Sequence, residues 1–289
     1  MRTIWRRFRP QQPVWNTDDD IFERAEHIID SHTQVPRRMW QRHDPSVLND
    51  VITSLRAHGE HTSDVTTLLA TLVLQAPRAV AAQRKMDKHP HGYHDKKARL
   101  FELIDFNDTY VSTVLAMPEH HLATFNDRVR QLITRACKRM GLPSFSNEQW
   151  DAITHGLTRE IAVYRGAAHL GYQVRMTNRN EDAMGVDMVV TNADGEEINL
   201  DIKTRSSFHF RLMDLEREGR ISKLEQTEGE KFGHLTVING HGHEAVRTTL
   251  LRIDEETYGA ATGFALDHLE PLDTSFKQIF TLVDKLKKV

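Results

Sequence analysis

From residue 17 to residue 140, apolar positions return every three or four residues with polar ones between them, the period of helices that bury one face. Residues 17–20, Thr-Asp-Asp-Asp, supply a cap and acidic charge for a first helix reaching about residue 31. Asp44-Pro45 reads as an N-cap with proline at the first helical position and opens a second helix, to about residue 58. A third starts at Thr62 or Ser63 and runs through Leu68, Leu69, Leu72, Val73 and Leu74. A fourth covers 95–117, and Pro118 restarts the chain into a fifth that ends near Met140. No strand pattern interrupts this half, which predicts an all-α domain over residues 1–145.

After Gly141-Leu142-Pro143 the pattern changes. Ser146 and Gln149 have the spacing of a capping box, and Leu157, Ile161, Tyr164, Ala168 and Leu170 continue a helix that stops at Gly171. Short runs rich in Val, Ile, Leu and Met then predict strands at 173–177, 186–191 and 198–203. The last two are joined by Asn192-Ala193-Asp194-Gly195, a strong hairpin signal. Residues 211–219 read as a short helix and 221–231 as a polar, mobile connection. A second hairpin pairs 234–239 with 245–253 around Gly240-His241-Gly242, and an amphipathic helix over 274–287 closes the chain. The predicted class is α+β or α/β: a helical first half, then a mixed sheet flanked by helices over residues 146–289.

Composition narrows the functional classes. A chain of 289 residues with 39% hydrophobic residues has enough apolar material for one large or two ordinary cores. The longest apolar stretch, 67–82, is interrupted by polar residues and Pro77, so no bilayer span is expected. The basic N-terminus lacks the apolar segment of a signal peptide, which makes the cytoplasm the expected compartment. The single cysteine, Cys137, forbids an intrachain disulfide and a thiolate zinc site. A net charge of −3 excludes a general polycationic coat for nucleic acid, so any such surface must be local. Local basic groups exist at Arg2, Arg6, Arg7 and Arg9, along Arg128, Arg130, Arg135, Lys138 and Arg139, and around Arg175, Arg179, Arg205 and Arg211.

The chemistry concentrates in Gly185-Val186-Asp187 and in Asp201-Ile202-Lys203. Side chains two apart on a strand leave the same face, so Asp201 and Lys203 point together, with Ile202 opposite. The hairpin folds Asp201 back towards Asp187. An Asp within an otherwise apolar central strand is costly to bury without a cation. The order of helix with Glu160, strand, Gly-x-Asp strand, turn and strand ending Asp-x-Lys resembles the core of the PD-(D/E)xK nuclease superfamily, most closely its resolvase-like and RecB-like members. The resemblance covers residues 147–253 and leaves the first half undescribed.

The resemblance implies a restriction-endonuclease-like mixed sheet and a metal-dependent nuclease acting on DNA, with RNA as the alternative substrate. It implies Mg²⁺ (or Mn²⁺) held by the carboxylates of Asp187 and Asp201 and the Ile202 carbonyl, with Glu160 joining through water or a second ion; Glu181 or Asp182 can take the place of Glu160. Lys203 would orient or help deprotonate the attacking water and stabilise the charged transition state. Arg175, Arg179, Thr204 and Arg205 are candidate phosphate contacts, and Lys223 or Gln226 stands where RecB-like relatives carry a Gln. The helical half is left to bind substrate, a second copy or a protein partner. The competing readings are a non-catalytic binding module that keeps the fold, or an RNA-cleaving toxin or defence effector. The histidines at 89–94, 119–121 and 241–243 have no zinc-site spacing and read as loop residues, and no Walker-type phosphate loop occurs.

Overall fold

The computed structural model describes residues 20–33, 48–62, 64–87, 97–239 and 245–287. The basic arm at residues 2–9, the helix start expected at Asp44-Pro45, and the histidines at 89–94 and 241–243 lie outside the described residues. Within residues 20–140 the described elements are helices: α1 (Ile21–Thr33), α2 (Asn49–Thr62), α3 (Val65–Asp87), α4 (Lys97–Ala116), α5 (Glu119–Leu122) and α6 (Phe125–Met140). α3 is the hub of this half. By length and composition Val65–Lys85 is apolar enough to cross a bilayer, and most of it is instead buried against α1, α2 and α4. Pro77 lies inside this helix without ending it, because one lost hydrogen bond is outweighed where Ala76, Ala79 and Val80 are packed out of solvent. The basic row on α6 is tied to α1: Arg128 pairs with Asp20, Arg135 with Glu26 at 2.8 Å, and Arg139 with Asp30 at 2.6 Å.

The expected capping box opens α7 (Asn147–His169), with Ser146 Oγ accepting from the Gln149 amide and Gln149 Oε1 accepting from the Ser146 amide, both at 3.1 Å. This helix joins the two halves. Its Trp150, Leu157 and Ile161 belong to the core built by Phe106, Tyr110 and Phe125, while its Ala162, Val163 and Ala167 belong to a second core with Val190, Leu200 and Phe276.

Five strands follow: β1 (Gln173–Met176), β2 (Met188–Thr191), β3 (Glu197–Lys203), β4 (His234–Asn239) and β5 (Val246–Arg252). Their order is β1-β2-β3-β5-β4, with β3 and β5 parallel and the other neighbours antiparallel. The chain is therefore a mixed α+β protein, with one mixed sheet among the described residues. α7 and α12 (Glu270–Lys287) cover one face. α9 (Arg205–Arg217) covers the other through Phe208, Leu212 and Leu215, and α10 (Lys223–Phe232) packs beside it against β4.

Several local expectations are corrected. Residues 221–231, read as a mobile connection, form α10, because Ser222 and Glu225 make a second capping box and Gln226 and Gly229 are buried. α9 begins six residues before the expected start at Arg211, since Thr204 caps it by accepting from the Ser207 amide at 3.3 Å. α12 starts at Glu270 rather than Thr274. Two short helices, α8 (Arg179–Ala183) and α11 (Glu255–Tyr258), have no counterpart in the sequence reading.

Candidate active site

The β2–β3 hairpin sets the geometry. Asn192 Oδ1 accepts from the amides of Asp194 (3.0 Å) and Glu196 (2.9 Å), and Gly195 takes the left-handed φ of +79° that the turn requires. That turn pairs Met188 with Leu200. Asp187 stands just before β2, its amide donating to the Leu200 carbonyl at 2.8 Å. Its carboxylate Oδ2 accepts from the Ile202 amide at 2.6 Å. In a strand the N–H and C=O of one residue leave on the same side, so the Ile202 carbonyl points past the end of β2 towards Asp187. Ile202 itself packs partly against the second core, on the face opposite Asp201.

Asp201 is buried and forms an ion pair with Lys203, whose side chain is about one quarter exposed, 27%. Gly185 approaches the pair from the loop before β2. Its φ is +77°, and a Cβ there would come within 3.2 Å of Asn239 Nδ2 and 3.9 Å of Asp201 Oδ2. The glycine of Gly-x-Asp is thus favoured by backbone conformation and by the tight approach to Asn239, while the Asp201 carboxylate lies at ordinary contact distance.

Glu160, from the middle of α7, and Asp182, from α8, reach the same place. With Asp187 they line a cavity of about 500 Å³. Its opposite wall is α4, through Asn107, Asp108, Val111, Ser112 and Leu115. Arg56 of α2 also lines it and pairs with Asp105 at 3.3 Å and Asp108 at 3.6 Å. Asp201 and Lys203 stand beside this cavity and do not line it.

The electrostatics report a shortage of positive charge. Burial, then Asp201, pushes the Asp187 carboxyl up to about 8 against the opposing pull of Lys203 and the Ile202 amide. Burial and the Asp187 and Asp182 carboxylates hold Glu160 well above the usual range. Burial lifts Asp182 to about 6 and, with Asp182 facing it, Asp108 to about 7. Burial works against the charge on Lys203, but Asp201, Asp187 and Glu160 outweigh it and keep its proton more tightly bound than in an ordinary lysine. These neighbours hold Lys203 in its charged form. Carboxylates gathered this closely share protons or take up a cation in their place.

The donor set suits a hard ion. Asp187, Asp201 and Glu160 offer oxygen, with the Ile202 carbonyl beside them. Among the described residues no group of three or more His, Cys, Asp or Glu side chains is placed to hold a metal ion. Mg²⁺ asks for less, since one or two carboxylates suffice and water fills its remaining positions.

The other predicted contacts are spread around the molecule. Arg175 is exposed on β1, in a two-pronged ion pair with Glu181 at 2.8 and 2.9 Å. That pair and the cap on α8 occupy Glu181, leaving Asp182 as the acid of this segment that faces the cavity. Arg179 is the first residue of α8, and its side chain lies outside the described residues. Thr204 and Arg205 line a second cavity, of about 590 Å³, with Arg159 and His209, and Arg205 pairs there with Glu256 at 2.9 Å. Lys223 and Gln226 bond to each other at 2.7 Å, and neither lines the carboxylate cavity.

Asp108 was not anticipated. The available signal was Asp105, Asp108 and Ser112 at helical spacing on α4. Cys137 is buried, its thiol pushed up to about 12 by burial, and takes no part. No protein-family model, curated protein or solved structure matches this chain.

Proposed function

We propose that the chain is a divalent-metal-dependent nuclease that hydrolyses phosphodiester bonds in DNA, built on a restriction-endonuclease-like core over residues 147–253. The observation that carries this reading is the meeting of Glu160, Asp187 and Asp201 with Lys203 where β2 begins and β3 ends, beside a cavity. Asp187, Asp201, the Ile202 carbonyl and Glu160 are the groups that would hold Mg²⁺ or Mn²⁺. When bound, that ion neutralises phosphate charge and makes water a nucleophile near neutral pH.

The chain's own residues supply the rest. In hydrolysis the water oxygen bonds to phosphorus, one P–O ester bond breaks, and the departing oxygen takes up a proton. Lys203, paired with Asp201, orients the water and stabilises the negative charge that grows on the phosphoryl oxygens. The Ile202 amide holds Asp187 in place through Oδ2. α7 brings Glu160 up from below on a helix anchored in both cores, which fixes its distance from Asp187.

The test is incubation of the full chain with supercoiled plasmid, linear duplex, single strands and RNA in Mg²⁺, Mn²⁺ and EDTA, with two variants. Asp201→Ala should abolish cleavage and weaken Mg²⁺ binding together. Lys203→Ala should keep Mg²⁺ binding and lose cleavage by at least ~100-fold, the scale for removing one positioned electrostatic group. Cleavage by both variants at the parent rate sinks the nuclease reading and favours a binding module.

A further inference from the structure

The carboxylates do not lie on an open face. α4 stands across from Glu160, Asp182 and Asp187, so the approach to Asp187 runs through a cavity with a wall on either side. At about 500 Å³ its volume is that of a small-ligand site. A double helix, whose major groove alone is ~12 Å wide, does not fit into such a space. One nucleotide of a flexible strand does.

The wall opposite the acids is not a hinged flap. Phe106, Tyr110 and Val114 of α4 share a core with Leu157 and Ile161 of α7, and the Tyr110 ring meets Trp150 edge-on at 6.5 Å. α4 also packs against α8, the helix that carries Asp182. Moving α4 aside would open that core to water, so the width of the cavity is built into the fold.

The lining suits a base with its backbone. Val111, Leu115, Leu157 and Met176 provide apolar surface for the face of a base, and Asn107 and Ser112 bring polar groups for its edge. The phosphate attached to that nucleotide would lie at the acidic floor, next to Asp187. Enzymes that take a base into a confined pocket act on single strands or flip the base out of the duplex, and a base entering this cavity meets the same constraint.

Building on the nuclease reading, we propose that this cavity admits a single polynucleotide strand and shuts out an intact duplex, so that the substrate is single-stranded DNA or the unpaired tail of a duplex. Leu115 sits at the rim, 39% exposed, and narrows the passage without supporting the core.

The experiment compares one oligonucleotide sequence as a single strand, as a blunt duplex and as a duplex with an unpaired tail, using the full chain in Mg²⁺. The single strand should be cut at least tenfold faster than the blunt duplex, and cleavage of the tailed duplex should fall within the tail. Leu115→Trp should slow cutting of the single strand at least tenfold with the thermal unfolding temperature unchanged. Equal rates on blunt duplex and single strand would overturn this inference and leave the nuclease reading standing. Full-rate cleavage by a folded Leu115→Trp would overturn it as well. No cleavage of any of the three would overturn both. The comparison of strand with duplex decides the matter even if the Trp variant fails to fold.

Discussion

Asp187 is the residue on which the site's charge balance turns. In the unfolded chain an aspartate gives up its proton near pH ~4. In the folded chain burial and Asp201 delay this until about 8. Between these values the folded state binds more protons than the unfolded one, so its stability falls as pH rises. Asp182 and Asp108, raised to about 6 and 7, act in the same direction. His32 and His234, both lowered by burial, act in the opposite direction below their ordinary range, so the informative quantity is a difference between variants. Without added metal, the unfolding temperature of the parent should drop more steeply between pH 6 and 8 than that of Asp187→Asn. Added Mg²⁺ should raise the parent's unfolding temperature more at pH 8 than at pH 6, because at the higher pH it competes with fewer protons. Thermal melts across that range check both statements, and parallel slopes in the two proteins would remove Asp187 from the buried charge cluster. Asp187 and its neighbours were legible in the sequence because Gly-x-Asp, a hairpin turn and Asp-x-Lys act over short separations. Asp108 was not, because its approach to Asp182 depends on how two distant helices pack, and no local pattern encodes that.

At the scale of elements, legibility followed the strength of local signals. α7 was read from its capping box and apolar period, and β2, β3 and the turn between them from alternation and Asp-Gly. α10 was missed because residues 221–231 are rich in Glu and Lys and carry little apolar period. Its start is nevertheless written in Ser222 and Glu225: the Ser222 amide donates to Glu225 Oε2 at 2.7 Å, and Ser222 Oγ accepts from the Glu225 amide at 3.2 Å. A helix with only Gln226 and Gly229 buried leans heavily on that cap. Ser222→Ala should therefore destabilise the protein by ~1 kcal/mol. It should also speed hydrogen exchange in the first turn of α10 while leaving α9 protected. Urea unfolding and amide exchange measure the two effects, and an unchanged midpoint would show that packing against Leu212 and Leu235, not the cap, holds the helix.

At the scale of the whole molecule, the change of pattern near residue 145 marks where strands begin, while the packing runs on across it. α7 starts just after this point, yet Trp150, Leu157 and Ile161 are 3%, 5% and 0% exposed because the helical half covers them. Phe264, from the far end of the chain, lies in the same core and meets Phe125 and Tyr110 ring to ring at 5.8 and 6.2 Å. Residues 146–289 alone would present these four side chains to water. At ~2 kcal/mol for each large apolar group, the loss rivals the ~5–15 kcal/mol that holds a typical domain together. The same helix carries Glu160, so loosening α7 would also release an acid from the site. A fragment of residues 146–289 should therefore lack a cooperative thermal transition and bind an apolar dye, whereas the full chain melts in one step. Circular dichroism melts of the two proteins test this. A fragment that unfolds cooperatively within ~5 °C of the full chain would show that the second half folds independently and that its contacts with α4 and α6 contribute little.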